Sequence, residues 1–431
     1  MRADGIRSTV ALLLVLALAC GPASAPKPRA PETSHPPSAA TSGATTLRAG
    51  TSGDYPPLSL WSADRPEGYG PALLDAFATS AKVDVAWTRF KWPELTHDLL
   101  AGQFDVAADG ITVRPERSVA GRFTVPIAWG GAVLLLRRPA WLPAGATTAA
   151  SLDRPGLRIA VNRGGHLERV TRAVFHAATI DAIPDNAGVR AALARGDADA
   201  AMTNTFEAPQ WAEGLGIERI GPLTHDVTSL WLRADRSDLA EHLDEWLLQE
   251  EENGRLGALR RRALGEAGAA PSALPLDALL AATLERLALM PFVAAAKQVT
   301  AKNVTDTAQE DRVIATALEA VKKAADKRAA SAPDAARSAA FFRIQIEAAK
   351  DVQQHSPPSA TTSFALETEL RPAIARITAR MAFLIVRLPR GLTRAAVLAR
   401  AKEVLAESGV DDRRIEELAS ALVSLSDLSD R

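Results

Sequence analysis

The sequence contains the short apolar run Leu157-Arg158-Ile159-Ala160-Val161. Its length and its β-branched residues predict a buried strand. Similar runs at residues 83–87 and 133–136 alternate along the chain with segments of helical spacing at residues 71–81 and 188–195. This alternation predicts an α/β fold with parallel sheets.

The alternating pattern extends over residues 47–267, a length that suits a domain of two lobes. We expect the chain to cross between the lobes in extended pieces near Arg137 and Thr224. The whole chain has 431 residues, which is too long for one ordinary core. The sequence therefore predicts a further domain.

The pattern changes after Glu266, where glycine becomes rare and strand-like alternation ends. Residues 268–273 are interpreted as a linker, and residues 274–431 as an all-helical domain that folds separately from the first. The predicted helices span residues 276–301, 310–331, 334–355 and 368–386, with a shorter pair after residue 393.

The N-terminus has the composition of an export signal. Arg2 and Arg7 precede an apolar run at residues 10–19 that is too short to cross a bilayer. We therefore expect a signal peptide at residues 1–20 and a location in the periplasm or cell envelope.

The apolar run ends at Cys20, the only cysteine in the chain. This ending resembles a bacterial lipobox, in which the cysteine is acylated. We expect lipidation of Cys20, followed by a disordered tether at residues 21–46, which is rich in Pro, Ser and Ala. Ordinary cleavage after Ala25 is the alternative, and neither reading leaves a cysteine pair for a disulfide.

The formal net charge is −1, so charge gives no reason to expect binding to nucleic acid or to an anionic membrane surface. A lipid anchor would then be the only link to a membrane. The seven histidines are scattered and predict no metal site. We expect no cofactor, and the oligomeric state is not predicted.

The α/β half contains the segment Ile111-Thr112, followed by Pro115-Glu116-Arg117. This order resembles the extracellular solute-binding proteins that carry amino acids. The resemblance implies that Thr112 and Arg117 hold a ligand carboxylate. A guanidinium suits this task because it matches a carboxylate with two parallel hydrogen bonds.

A narrower set of motifs resembles the periplasmic cyclohexadienyl dehydratases, which share this fold. The motifs are Gly53-Asp54-Tyr55, Trp92-Pro93, Asn162-Arg163-Gly164-Gly165, Asp185-Asn186 and Met202-Thr203-Asn204-Thr205-Phe206-Glu207. The resemblance implies that Glu207 is the general acid. It also implies that Asp54, Trp92, Asn162 and Asn204 contact the substrate.

The chemistry of such an enzyme suits these residue types. Prephenate becomes phenylpyruvate by losing carbon dioxide and its ring hydroxyl, so the enzyme must protonate the departing hydroxyl. A carboxyl group in an enclosed, mostly apolar cleft has a raised pKa and can keep its proton for this step. Asn204 stands where the family usually has Asp, and the loss of that partner for an ammonium group favours prephenate over arogenate.

Motifs in the helical half resemble the secreted all-helical chorismate mutases. They are Leu284-Glu285-Arg286-Leu287, Val293-Ala294-Ala295-Ala296-Lys297, Gln309-Glu310, the segment at residues 341–353, and Arg376-Ile377-Thr378-Ala379-Arg380-Met381. Arg286 and Lys297 are eleven residues apart, or three helical turns, and are expected on one helix face.

This second resemblance implies that the site binds chorismate and clamps it for a rearrangement that needs no acid or base. Arg286 and Arg380 would bind carboxylates, Lys297 and Gln353 would reach the ether oxygen, and Glu310 would hold the hydroxyl. Two positions depart from the family, since Gln309 replaces an arginine and Ala349 replaces a small polar residue. Arg312 would be the substitute for the missing guanidinium.

The sequence therefore predicts an exported bifunctional enzyme of phenylalanine biosynthesis that converts chorismate to prephenate and prephenate to phenylpyruvate. The substrates would be its partners. One alternative is a carboxylate-binding or amino-acid-binding lipoprotein of a transport system, with a mutase-like appendage. Another alternative is that the helical domain has the mutase fold but no mutase activity.

Overall fold

The computed structural model describes residues 46–214, 216–358 and 361–427. The predicted signal peptide, the acylation site at Cys20 and the predicted tether up to residue 45 lie outside these residues. Those three expectations remain predictions.

Strands and helices alternate through the first half of the described chain. In chain order they are β1 (Thr46–Thr51), β2 (Asp54–Tyr55), β3 (Ser59–Ser62), β4 (Arg65–Glu67), α1 (Tyr69–Ala81), β5 (Asp84–Arg89), α2 (Leu95–Leu100), β6 (Val106–Thr112), α3 (Pro115–Ala120), β7 (Gly121–Gly130), β8 (Ala132–Leu136), α4 (Ala149–Leu152), β9 (Arg158–Asn162), α5 (His166–Val174), β10 (Thr179–Ile183), α6 (Asn186–Arg195), β11 (Ala200–Asn204), α7 (Ala208–Ala212), β12 (Glu218–Ile220), β13 (Asp226–Arg233), α8 (Ser237–Glu252) and α9 (Arg255–Leu264).

Ten of these strands form one five-stranded sheet in each lobe, and β2, β3 and β4 form a small three-stranded sheet. The first-lobe sheet has the order β5-β1-β6-β13-β7, and the second-lobe sheet has the order β10-β9-β11-β8-β12. Each sheet contains one strand that is antiparallel to both of its neighbours, β13 in the first sheet and β8 in the second. The two lobes are as predicted, but the prediction of parallel sheets is wrong for one strand in each lobe. The reason is that β8 and β13 each follow a crossing from the other lobe and enter their sheet in the opposite direction.

The chain crosses between the lobes at two places that touch each other. The first crossing is Gly130-Gly131, between β7 and β8, and the second runs past Thr224, between β12 and β13. A Cβ atom on Gly131 would lie 2.0 Å from the carbonyl oxygen of Thr224, so this approach requires glycine. The predicted crossing near Thr224 is confirmed. The one near Arg137 is wrong, because Arg137 follows β8 inside the second lobe.

The remaining described chain is helical, as predicted. It contains α10 (Pro275–Ala288), α11 (Met290–Val299), α12 (Thr307–Lys327), α13 (Ala335–His355), a π-helical turn (Leu366–Leu370), α14 (Arg371–Ile385), α15 (Arg394–Val404) and α16 (Asp412–Ser426). Four of these helices begin at a side chain that caps a free backbone N–H of the first turn. These caps are Asp306, Asp334, Thr393 and Asp411.

The helix predicted at residues 276–301 is divided in two at Leu289. Pro291 lies in the first turn of α11, where its missing N–H costs nothing, whereas inside a continuous helix its ring would clash with the preceding turn. The pair spanning Pro275–Val299 is apolar and long enough to cross a membrane, but 72% of its most apolar window is buried. We therefore assign it to the core of the helical half.

Within the described chain, the two halves pack against each other as one compact unit. Helices α10 and α14 lie against α3 and β7 of the first lobe, and Arg387 at the end of α14 pairs with Glu245 on α8.

The predicted linker at residues 268–273 is also fixed to the first lobe. Arg260 pairs with Glu251 at 2.8 Å and donates to the carbonyl oxygen of Gly268 and to the hydroxyl of Ser272. Glu251 accepts from the backbone N–H groups of Ser272 and Ala273. The connection between the halves is therefore buried and bonded.

Candidate functional site

A narrow cleft separates the two lobes of the α/β half. It is lined by Tyr55, Trp92, Gly110, Thr112, Arg117, Asn162, Gly165, His166, Leu167, Asn186, Asn204 and Asp226. Its volume is about 50 Å³, which is enough for a few water molecules. A ligand of aromatic size must therefore enter while the lobes are further apart.

Three polar contacts hold the second lobe against the first. His166 Nε2 lies 2.9 Å from Asp226 Oδ2, and Asn204 Nδ2 donates to the hydroxyl of Tyr55. At the rim, Arg169 on α5 pairs with Glu116 on α3. These contacts define a closed state of the cleft.

Glu207 lies immediately behind the cleft wall and has no exposed surface. Thr203 Oγ1 donates to Glu207 Oε2 at 2.7 Å. The side-chain amides of Asn204 and Asn186, which line the cleft, donate to the Glu207 carboxyl at 3.2 and 3.4 Å. All three donors are neutral, so no cation balances an ionised Glu207 at these contacts.

Burial raises the pKa of Glu207 to about 8, and the negative charges of Asp54 and Asp109 act in the same direction. The hydrogen bond from Thr203 lowers the pKa, but its effect is smaller than that of burial. Glu207 therefore keeps its proton near neutral pH and can act as an acid.

The turn after β11 explains how Glu207 is held. The side-chain oxygen of Asn204 accepts from the backbone N–H groups of Phe206 and Glu207 at 2.7 and 3.0 Å. This local pattern is characteristic of Asn and Asp. Glu207 occupies the N-cap position of α7 but makes no capping hydrogen bond with its side chain. Its carboxyl group instead points back towards Thr203 and the cleft wall.

Arg117 is 4% exposed and faces the cleft from α3. Its Nη1 donates to the carbonyl oxygen of Thr112 at 3.0 Å, and its Nε has no partner among the described residues. Burial, followed by the positive charge of Arg114, lowers the pKa of Arg117 well below its usual value. An anionic ligand would supply the missing counter-charge.

A second and larger cavity lies within the helical half. Its volume is about 1000 Å³, and its lining contains six cationic side chains but only two carboxylates. The cations are Arg286, Lys297, Lys302, Arg312, Lys350 and Arg371, and the carboxylates are Asp306 and Glu310. The excess of positive charge favours an anionic ligand.

Arg286 and Lys297 enter this cavity from α10 and α11. Arg286 is 6% exposed and donates to the carbonyl oxygen of Gln345 at 2.8 Å. Burial lowers the pKa of Arg286 to about 10, which still leaves it charged at neutral pH. Lys297 Nζ donates to the carbonyl oxygen of Val304 at 2.7 Å, and burial, followed by the charge of Arg371, lowers its pKa.

Three predicted polar residues complete this lining. Gln353 Nε2 donates to the carbonyl oxygen of Ala349 at 3.0 Å, and its Oε1 has no partner in the described part of the chain. Glu310 Oε2 lies 3.5 Å from Lys350 Nζ. Arg312 donates to the side-chain oxygen of Gln309 at 2.8 Å and lines the cavity, which places a guanidinium beside Gln309.

Comparison with known proteins supports the assignment of the α/β half. A model of the bacterial extracellular solute-binding proteins, family 3, matches residues 47–266, about half of the chain. The chain belongs to this family. Membership indicates a periplasmic or extracellular location and a cleft for small molecules.

One curated relative is the cyclohexadienyl dehydratase of Pseudomonas aeruginosa. It is 28% identical to this solute-binding protein over 218 residues, which are 49% of this chain and 79% of the relative.

Solved structures are similar to about half of the chain. An ancestral amino acid-binding protein, described as a precursor of cyclohexadienyl dehydratase, has 26% identity and a TM-score of 0.47 over 51% of this chain and 95% of its own. A putative transporter binding component from Wolinella succinogenes, solved with lysine, has 21% identity and a TM-score of 0.48, with the same coverage.

In this family 3 protein, the cleft brings together Trp92, Thr112, Arg117, Asn162 and Asn204, as the sequence predicts. The structure places two other predicted residues behind the lining. Asp54 accepts from Trp92 Nε1 at 3.2 Å and so orients that ring, and Glu207 lies behind the two cleft amides.

Arg380 is not part of the helical cavity, so its predicted role there is corrected. Its guanidinium pairs with Glu285 and donates to the carbonyl oxygen of Phe123 at 2.6 Å, in the first lobe. Arg376, one turn earlier on α14, also faces that lobe. Because residues four apart share a helix face, docking of this face removes both arginines from the cavity.

Sequence reasoning missed several lining residues. His166 and Asp226 are 60 positions apart and belong to different lobes, so their contact depends on the packing of the lobes. Arg371 and Lys350 face the helical cavity without belonging to a predicted role. In the sequence, Arg371 is marked only by its position at the start of a predicted helix, which does not indicate that it faces a cavity.

Proposed function

We propose that this protein is an exported bifunctional enzyme. Its cleft converts prephenate to phenylpyruvate, and its helical cavity converts chorismate to prephenate. The observation that carries the first activity is Glu207, a buried carboxyl group with a pKa raised to about 8, next to a cleft that presents Arg117. The relationship to a cyclohexadienyl dehydratase supports the same activity.

The proposed dehydration needs one acid and one anion-binding group. Arg117 binds the side-chain carboxylate of prephenate. The ring carboxylate leaves as carbon dioxide, its bonding electrons enter the ring, and the hydroxyl leaves as water after taking the proton of Glu207. The side-chain amides of Asn186 and Asn204 lie between Glu207 and the cleft. The substrate hydroxyl must therefore reach the Glu207 carboxyl by displacing one of these amides.

The surroundings of Asn204 support prephenate as the preferred substrate. Its amide donates to both Glu207 and Tyr55, whereas an aspartate in this place would put a negative charge beside the protonated acid. Asp226 is the other carboxylate in the cleft lining, and it is engaged by His166 at 2.9 Å. An ammonium group would therefore find no free carboxylate in this lining.

The proposed mutase activity rests on the charge of the helical cavity. Chorismate is a dianion, and its rearrangement requires a compact conformation and stabilisation of charge on the ether oxygen. Arg286 is a buried cation and Lys297 a half-buried one, of the kind this step needs. Arg312 and Arg371 line the cavity where they could bind carboxylates. The alternative of a mutase-like fold without activity rests on Gln309 and Ala349.

A second candidate for the cleft is capture of an amino acid or another small carboxylate for transport. Asp226 favours it, because a carboxylate freed from His166 could hold an ammonium group. Glu207 distinguishes the two functions, since capture does not require a protonated acid behind the wall.

One experiment tests the bifunctional proposal. The mature protein is incubated with chorismate, and prephenate and phenylpyruvate are separated over time. The proposal predicts that prephenate rises first and phenylpyruvate follows. If the protein converts added prephenate but not chorismate, only the dehydratase part of the proposal remains. If it binds an amino acid tightly and converts neither substrate, the transport function is favoured.

A further inference from the structure

Helix α3 is short, and side chains from outside the helix hold the carbonyl groups of its last turn. Trp231 Nε1 donates to the carbonyl oxygen of Arg117 at 3.0 Å. Arg376 Nη2 donates to the carbonyl oxygens of Ser118 and Val119 at 3.0 and 2.9 Å. The last carbonyls of a helix have no partner within it, so Arg376, from the helical half, supplies part of what α3 lacks.

The same helix carries Arg117 into the cleft. Among the described residues, the side chain of Arg117 donates one hydrogen bond, to Thr112, and the direction of its remaining donors depends on the position of α3. A shift of α3 would therefore move the guanidinium relative to the opposite wall, where Asn162 and Asn204 lie. Binding of a planar carboxylate is sensitive to such a shift.

Helix α14 has a different role on each of its sides. Arg371, Ile374 and Thr378 line the helical cavity. Arg376 and Arg380 bond to the first lobe. One helix therefore forms a wall of the cavity and a support for α3.

We propose that Arg376 is a positioning residue for Arg117, so that the helical half completes the carboxylate subsite of the cleft. This inference rests on the proposed function only in that Arg117 binds a ligand carboxylate. It assigns the helical half a part in the cleft that does not depend on mutase activity.

Arg387, two residues beyond the end of α14, offers a matched control. It also joins α14 to the first lobe, through its hydrogen bond from Nε to Glu245 at 2.9 Å. Glu245 lies on α8, and the contact between Arg387 and Glu245 does not involve α3. Arg387→Met therefore removes an interface arginine without removing a donor from α3.

The test compares the full chain with Arg376→Met, Arg376→Lys and Arg387→Met. Binding of phenylpyruvate is measured by calorimetry, and backbone hydrogen exchange is measured in residues 117–121. We expect Arg376→Met to weaken binding about tenfold and to speed exchange in that segment. Arg376→Lys should recover part of both effects, and Arg387→Met should match the wild type in both.

Equal behaviour of Arg376→Met and Arg387→Met in both measurements would overturn the proposal. Faster exchange spread over the whole first lobe would also overturn it, since that result indicates general loosening. If the wild type does not bind phenylpyruvate, the proposed function loses its ligand class, and the exchange measurement alone decides the role of Arg376.

Discussion

Thr203 Oγ1 donates a hydrogen bond to Glu207 Oε2 at 2.7 Å, and neither side chain has any exposed surface. A neutral hydroxyl cannot balance a full negative charge on a carboxyl group with no exposed surface, so the protonated form of Glu207 is the stable one near neutral pH. The contact orients the carboxyl group without removing its acidity.

Glu207→Gln keeps the shape and hydrogen-bonding capacity of this side chain but cannot give up a proton. We expect kcat for prephenate to fall by about 10²–10⁴-fold, with the fold intact by circular dichroism. Glu213→Gln, on the exposed surface just after α7, is the control and should keep full activity. Near-normal turnover by Glu207→Gln would remove Glu207 from its role.

The same variant makes a prediction about stability and pH. The folded-state pKa of Glu207 is raised to about 8, whereas the unfolded value is roughly 4.3. Below the lower value both states are protonated; between the two values the unfolded state ionises and the wild type loses stability as pH rises.

We therefore expect the Tm of Glu207→Gln to exceed that of the wild type by an amount that grows up to about pH 8 and then levels off. Asp109 and Asp244, whose pKa values burial also raises, are present in both proteins and should largely cancel. A difference in Tm that does not change with pH would contradict the assignment.

The helical cavity is tested by two arginines on α14. Arg371 lines the cavity and Arg380 does not. Arg371→Met should raise KM for chorismate by at least about tenfold, because a charged hydrogen bond to a carboxylate contributes roughly 1.5–3 kcal/mol. Arg380→Met should leave that KM unchanged and lower Tm, since it leaves Glu285 without its partner. The reverse pattern would restore Arg380 to the site.

The two halves are predicted to fold when residues 47–267 and 273–431 are expressed apart. The arginine contacts between α14 and the first lobe further predict that the separated halves bind each other. Circular dichroism tests each fold, and light scattering of the mixture tests the complex. An unfolded half on its own would show that the interface is part of one core, and the absence of a complex would show that the interface contacts are weak.

Cys20→Ser should release the protein into the soluble fraction of the cell envelope without loss of the proposed activities. The reason is that the chain is nearly neutral overall, so a lipid on Cys20 would be its means of attachment. Fractionation and mass spectrometry of the mature N-terminus measure this. An unlipidated wild-type chain that begins after residue 25 would remove the anchor and leave export in place.

The sequence predicted the two-lobed fold and most of the cleft, because its motifs are local and follow the ends of strands. It did not predict the pairing of His166 with Asp226, since that contact forms between elements far apart in the chain. The face of α14 was misassigned for a related reason. Helical spacing shows that Arg376 and Arg380 point the same way, but only packing against the first lobe decides which way that is.

The buried pair of Arg260 and Glu251 holds the connection at Ser272 to the first lobe, and α14 adds further contacts there. These contacts hold the helical half against the first lobe, so we expect the two to move together. Opening of the cleft would then be a rotation of the second lobe about Gly131 and Thr224, and the distance between the helical cavity and Arg117 would stay constant as the cleft opens.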